Sequence, residues 1–550
     1  MEKRVLAAIA LSIAILLAFR YFEDRRAAEP ARLTPPAASQ VPPPATPAPE
    51  AQPVAEPQPP IAELPAEETV PEQQIVIESG LYRAVLNNGG GVLTSWQLKQ
   101  YKSAKQEVFD MVAAGREVPR QYPASLVFDD PKLTALAAQE RYAVEIVGGR
   151  RGESALTAPA TVVLRLRRGD LAIEKRFSFE EKNYTVNFVA ACQRGNQPLR
   201  YRLLLGQDIG PEQEHLANPS MVLKAVAEVG GKIRRETAPK DENEIKPIAG
   251  DVRWAGLDMQ YFAAIAIPAR PIPAFDIQRR PQQTAGMGGE QITRDLIRLT
   301  LPVDGTGEYR LYLGPKMQSD LEAVPGGNNL SGVIDYGIFS FIVKPLLIGL
   351  RYINRATNNY GFAIIVLTFV LTLLLFPFRI KQLVSAKKMQ VLQPRIKEIQ
   401  ERYKRYKKTD PKRAEMNQEI MAIYKENKVN PLGGCLPLLL QMPLLIAFYN
   451  LLAYSIELRQ APFLGWLHDL SMKDPYYILP IVMGLTMLIS QKMTPMTPGA
   501  DPAQAKMMMI MPVVFTLFFL NVSSGLNLYF LCSNVFQIAF QKIAERWMGG

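Results

Sequence analysis

The segment Asn430–Tyr454, NPLGGCLPLLLQMPLLIAFYNLLAY, carries no charge. A helix of about 20 such residues crosses a hydrocarbon core of roughly 30 Å. This stretch therefore commits its part of the chain to a membrane. A plain anchor has no use for Pro437, Gln441 and Pro443. Each proline removes a backbone donor and frees a carbonyl about four residues earlier, which neighbouring helices or water must satisfy. Gln441 takes an amide to membrane depth, where it needs a partner or a wet cavity. A kinked packing helix and a cavity-lining helix both fit the segment in isolation, so its flanks must decide.

Before it lies a strongly basic stretch. Residues 379–431 hold 15 Lys and Arg against 6 Asp and Glu, which is most of the chain's net charge of +11. Such a concentration beside apolar spans reads as a cytoplasmic, positive-inside loop before it reads as nucleic-acid binding. Leu392, Ile396, Ile399, Tyr403 and Tyr406 recur at helical spacing, as do Met416, Ile420 and Ile423. Thr409-Asp410-Pro411 between them offers an N-cap and a first-turn proline, so the loop (381–431) is expected to be a helical hairpin. Its outer faces carry Lys387, Lys388, Lys404, Arg405, Lys407, Lys408, Lys412 and Arg413. A solvated hairpin that only sets topology and a docking arm for anionic lipid, ribosomal RNA or a targeting protein are both open.

The chain opens with Lys3-Arg4 and an apolar run, Val5–Phe19, without a small-residue cleavage site, the pattern of an uncleaved signal anchor (1–26). A Pro-, Ala- and Glu-rich tether (27–74) follows, too poor in apolar residues to offset its ordering entropy. From 75 to 330, alternating runs such as 161–167 and 184–189, parted by Gly, Asn and Pro, predict an all-β sandwich outside the membrane. Gly89-Gly90-Gly91 after Asn87-Asn88 reads as a turn needing positive φ, since no helix start with Lys-Ser/Thr follows it. No convincing acid/base pair stands out in this domain, and neither the three cysteines nor the two histidines have disulfide or metal-ligand spacing.

Residues 331–356 form an amphipathic pattern expected as an interfacial helix. The membrane half then reads as spans at 357–380, 432–454, 476–492, 507–522 and 523–550. An outer loop (455–475) and an inner loop (493–506) part the middle ones. With the anchor this makes six crossings, both termini inside. Thr368 and Thr372 lie one turn apart on one face, either bonded to their own backbone or lining a groove. Asn527, Asn534 and Gln541 repeat every seven residues in the last span, so this stripe is expected to face the bundle or a hydrated cavity. No GxxxxGK[S/T] pattern occurs, so no nucleotide chemistry is implied.

Nearly the whole chain, in order, resembles the YidC/Oxa/Alb family of membrane protein insertases. The resemblance is carried by VNPLGGCLPLLLQMPLLIAFYNLL, ELRQAPFLGWLHDLSMKDPYYILPI and MPVVFTLFFLNVSSGLNLYFLCSN. RWAGLDMQYFAAIAIP and LYLGPK in the β domain and IDYGIFSFIVKPL in the interfacial helix add to it. It implies a polytopic α-helical membrane protein with a periplasmic β-sandwich domain and a cytoplasmic helical hairpin, five of its six spans forming the insertase core. It also implies a groove open to cytoplasm and lipid, and no enzyme activity or cofactor. Groove residues would be Thr368, Thr372, Gln441, Asn527 and Asn534. A slide for the substrate's apolar segment would use Met442, Pro443, Pro512, Val513, Val514 and Phe518, with Tyr529 and Phe530 as an aromatic pair. Implied partners are nascent membrane proteins, the Sec translocon (SecYEG and SecDF), the ribosome, the signal recognition particle receptor and anionic lipids. The family's groove usually carries an arginine where this chain has Thr372, which weakens the expectation of electrostatic capture of acidic tails.

Overall fold

The computed structural model of the protein describes residues 70–103, 105–112, 122–152, 154–211, 222–285, 291–406, 410–427, 436–493 and 502–549. The expected anchor, most of the tether, Lys407, Lys408 and Thr409 lie outside the described residues. Two compact units are present, a β-rich one up to Gly314 that also takes in Ala323–Asn329 and a helical one made of Pro315–Glu322 and the chain from Leu330 onward.

In the β-rich unit the described strands form a six-stranded and a fourteen-stranded sheet. Alternation dictates their packing. In Leu171–Phe179, LAIEKRFSF, every second side chain is buried, and the strand pairs antiparallel with Ala160–Arg168 and Thr185–Arg194. Rings join the two sheets. Trp96 stacks on Phe179 at 6.3 Å, and Phe109 stacks on Phe262 at 4.1 Å. The glycine run is the expected turn between Tyr82–Asn87 and Val92–Lys102, with φ of +74° at Gly90 and +55° at Gly91. A Cβ at Gly90 would sit 2.6 Å from Ala138 O, so only glycine fits there. The turn is pinned from below by Lys175, fully buried, whose Nζ donates to Gly90 O, Gly91 O and Ala124 O at 2.8, 3.0 and 3.0 Å.

One short helix, α1 (Pro131–Gln139), lies in the β-rich unit, and another, α2 (Gln318–Glu322), belongs to the helical one. The interfacial segment begins with a 3-10 turn, Leu330–Val333, and becomes α-helical only in α3 (Ser340–Thr357). The delay comes from Gly337, which sits at φ +68° and breaks the helical run. Asn358 ends α3 in the left-handed region, and the Asn359 side chain accepts from Phe362 N to start α4 (Tyr360–Val391). Helix α4 continues eleven residues past the expected span and into the basic hairpin. It stops before Pro394, which can neither donate nor follow a helical turn without a clash.

The hairpin consists of α5 (Gln393–Arg402) and α6 (Lys412–Glu426), the latter started by Asp410, whose side chain accepts from Lys412 N at 3.0 Å. Its seam is Met389, Leu392 and Ile396 against Ile420, Ile423 and Tyr424. Tyr403 and Tyr406 leave the expected seam because α5 ends first. Tyr406 instead accepts from Lys412 Nζ at 3.2 Å, which lowers its phenol pKa.

Then come α7 (Leu436–Tyr454), α8 (Ile478–Met493), α9 (Pro502–Phe519) and α10 (Ser524–Gly549). Pro437 sits in the first turn of α7, where its missing N–H would have had no helical acceptor, so it opens no gap. This corrects the expectation of two interruptions: only Pro443 lies inside the helix. Among the described residues, Tyr360–Ile380 is long and apolar enough to cross a membrane, while Met442–Tyr454, Ile478–Met493 and Ile510–Phe519 are shorter apolar helices. Helix α10 packs along α4 and α8, α8 also packs on α9, and α3 packs on α4 and α7.

Candidate functional site

Helices α4, α7, α8, α9 and α10 divide their side chains by polarity. Thr368 and Thr372 are buried on α4, where Oγ1 of Thr368 donates to Ile364 O at 2.6 Å and that of Thr372 to Thr368 O at 2.7 Å. A carbonyl four residues back is the ordinary partner of a helical threonine. Both hydroxyl donors are thus spent on their own helix.

The stripe on α10 faces its neighbours. Fully buried Asn527 donates through Nδ2 to Phe519 O and Val522 O at 3.2 and 3.1 Å, satisfying carbonyls at the end of α9. Its Oδ1 is buried and meets no hydrogen-bond partner among the described residues. Asn534 Nδ2 reaches Thr486 Oγ1 on α8 at 3.4 Å, and Gln541 Nε2 reaches Met493 O at 3.0 Å. The heptad spacing therefore sets three amides along one line of contact with α8 and α9. Gln441 lies on α7, its side chain outside the described residues.

Apolar residues take the opposite side. Met442, Val513, Val514 and Phe518 are 38, 51, 52 and 67 % exposed, which puts them on the outer surface of the bundle. Pro443 is half-buried and Pro512 buried. Tyr529 is enclosed, stacked on Phe448 at 4.0 Å, and Phe530 meets Phe519 edge-on at 4.8 Å. The eight proposed slide residues thus do not form one exposed track: four face outward and the aromatic pair ties α7, α9 and α10 together.

One end of the bundle is closed by polar contacts that spacing alone did not reveal. Asp474 caps α8 through Oδ2 to Leu479 N at 2.8 Å and accepts from Trp466 Nε1 at 2.9 Å. Ser524 N and Gly525 N donate to Met472 O and Leu470 O at 2.7 and 2.8 Å. Asn450 Nδ2 donates to Tyr336 O at 3.0 Å, and Arg351 pairs with Glu457. In the sequence this region is marked by ELRQAPFLGWLHDLSMKDPYYILPI, one of the stretches that carry the resemblance, and not by any pairing of these residues.

On the hairpin, Lys388, Lys404, Arg405 and Lys412 are exposed and Lys387 is half-buried; the Arg413 side chain lies outside the described residues. Arg405 and Lys412 flank the Tyr406 ring at 5.1 and 4.9 Å. Among the described residues no three His, Cys, Asp or Glu side chains converge to hold a metal ion.

Residues 352–549 match the family described as 60Kd inner membrane protein, and residues 74–348 match the YidC periplasmic domain. A membrane protein insertase YidC from Syntrophus aciditrophicus is 34 % identical over 482 residues, 85 % of this chain and 84 % of that one. One from Geotalea daltonii is 34 % identical over 569 residues, 99 % of each chain, and one from Haemophilus influenzae is 32 % identical over 492 residues, 86 % of each. A solved structure of an active YidC insertase with its first transmembrane domain resolved aligns at 17 % identity with a TM-score of 0.36, covering 86 % of this chain and 92 % of that one. The chain belongs to the YidC family, whose curated relatives bear the name of membrane protein insertases rather than of enzymes.

Proposed function

We propose that this protein inserts and helps fold integral membrane proteins in the bacterial inner membrane, without nucleotide hydrolysis. The observation that carries the reading is the split between neutral polar groups turned into the bundle and apolar side chains turned out of it. A substrate's polar tail enters among Thr368, Thr372, Gln441, Asn527 and Asn534, where Asn527 Oδ1 is a buried amide acceptor that meets no hydrogen-bond partner among the described residues. Polar surroundings there shorten the apolar path and lower the desolvation cost of the tail. The substrate's apolar segment passes along Met442, Val513, Val514 and Phe518 into lipid.

In this reading the chain crosses the membrane six times with both termini in the cytoplasm. The 16 residues of α8 rise only about 24 Å, so the bilayer thins locally around them. The closed end, with Asp474, Ser524 and the Arg351–Glu457 pair, faces the periplasm and keeps the path from becoming a pore. The basic hairpin docks on anionic lipid or on the ribosome and its targeting receptor. Nascent membrane proteins are the clients, received directly or from the Sec translocon.

Photocrosslinking from positions 442, 514 and 529 to a stalled nascent membrane protein tests this. Met442 and Val514 should capture the apolar segment, and enclosed Tyr529 should capture far less. Absence of capture at both exposed positions overturns the slide.

A further inference from the structure

Tyr406 lies near the tip of the basic hairpin, half-exposed and outside the seam that joins α5 to α6. Its phenol oxygen accepts from Lys412 Nζ at 3.2 Å and from the Arg405 guanidinium, and the two cations stand 4.9 and 5.1 Å from the ring centre. Among the described residues neither cation has a carboxylate at ion-pair distance. The acids close by are otherwise engaged: Asp410 Oδ1 accepts from Lys412 N at 3.0 Å, Glu419 pairs with Arg402 at 3.1 Å, and Glu415 acts on Lys412 less than the phenol does. Residues 402–413 hold seven Lys and Arg against one acid, Asp410. Tyr403, its ring 6.1 Å from that of Tyr406, meets neither cation.

Two cations trained on one phenol oxygen repel each other and gain little from it. A phosphate on that oxygen brings nearly two negative charges and three acceptors within reach of both. We propose that Tyr406 is a phosphorylation site and that its phosphate releases the hairpin from anionic lipid. In the transfer the phenol oxygen bonds to the γ-phosphorus of a nucleoside triphosphate held by a tyrosine kinase. The bond from that phosphorus to the β-phosphate oxygen breaks, the phenol proton passes to the kinase's base, and a nucleoside diphosphate departs. Arg405 and Lys412 then close on the phosphate, and the tip loses charge that it would otherwise turn to a membrane. The release rests on the lipid docking proposed above for the hairpin. Lipid is the partner because the hairpin is rooted on α4, which leaves its apolar stretch at Ile380 and enters the seam at Met389, beside the headgroup layer.

The test has two parts. Full-length protein is purified from its own cells with phosphatase inhibitors and cut after glutamate, and the peptide 402–415 is sequenced by mass spectrometry. Phosphate is expected on Tyr406 at least tenfold above Tyr403 and Thr409, and the Tyr406→Phe protein should carry none there. Absence of phosphate, or equal occupancy of Tyr403, overturns the site. For the release, a non-hydrolysable phosphotyrosine analogue is installed at position 406, the full-length protein is placed in neutral nanodiscs, and its flotation with phosphatidylglycerol vesicles is measured. Each charge beside an anionic surface changes binding severalfold, so the analogue should weaken it at least tenfold while Tyr406→Phe leaves it unchanged. Unweakened binding by the analogue overturns the release. No binding by the unmodified protein overturns the docking itself and the release with it, an outcome separate from the mass spectrum.

Discussion

Arg351 donates to a single oxygen of Glu457, through Nε at 3.0 Å and through Nη2, across 106 residues of chain. The carboxylate side chain is only 7 % exposed and the guanidinium 27 %. The pair ties α3 to the turn that follows α7. Removing one partner strands a nearly buried charge, whereas replacing both removes the desolvation cost as well. Arg351→Met should therefore lower stability by about 2 kcal/mol, discounted from the fully buried case because the guanidinium is partly wet. Arg351→Met/Glu457→Met should recover most of that in thermal unfolding of the detergent-solubilised protein. A double variant no better than the single would show that packing, not charge, holds the two together.

Helices α8 and α9 meet where Gly484 faces Thr516, and a Cβ added to Gly484 would fall on Thr516 Oγ1. That hydroxyl is held by its own helix, donating to Pro512 O at 2.7 Å, and cannot swing aside without losing the bond. Gly484→Ala should destabilise the bundle by about 1–3 kcal/mol through overpacking. Adding Thr516→Ala should restore much of the loss. Chemical denaturation of the three proteins in one detergent measures both effects, and an uncoupled Gly484→Ala defect would refute the contact.

Lys175 supplies a pH dependence with a definite sign. Burial pushes its ammonium down to about 7 from an ordinary value of 10.5, against the pull of three backbone carbonyls. Between pH 7 and 10.5 the unfolded chain binds the extra proton, so the stability of the β domain rises with pH there. Cys192 acts oppositely but higher, since burial lifts its thiol from 9.0 to about 12. The window from pH 7 to 9 therefore isolates the lysine, with a slope of at most about 1.4 kcal/mol per pH unit. Urea unfolding followed by Trp96 and Trp254, in a background lacking Trp466 and Trp547, should show the rise. Lys175→Met should flatten it, and an unchanged slope would remove Lys175 as the cause.

The periodic features were legible in advance for physical reasons. Alternation in 161–167 acts through local geometry, which is written in neighbouring residues. The heptad of Asn527, Asn534 and Gln541 predicted a shared direction, and all three amides do turn toward α8 or α9. What those amides bond was not legible, because carbonyls such as Phe519 O become acceptors only when a helix ends beside them. The threonines illustrate the same limit, since a hydroxyl four residues from a carbonyl always has a local alternative to a groove. Arg351 and Glu457 carry no sequence signal for each other, and their pairing follows from tertiary packing alone. Pro437 misled because a helix start moved by a few residues turns a break into a favoured first-turn position.

Thr372 is buried with its hydroxyl on Thr368 O, in a wall of inward-facing side chains that are polar but uncharged. The next Lys or Arg along α4 is Arg379, seven residues on and thus on the same face. A fixed charge at position 372 would be costly in an empty bundle and would be offset only while an acidic tail lay beside it. Such a charge discriminates between clients, whereas added wetness would help all of them. Thr372→Arg should accordingly raise insertion of substrates with acidic tails severalfold over otherwise identical neutral-tailed ones, and Arg379→Gln should shift the ratio the other way. Protease protection of matched substrates in vesicles reads both ratios. If Thr372→Arg helped neutral and acidic tails alike, its effect would come from hydration, and the tail's charge would not be sensed at this depth.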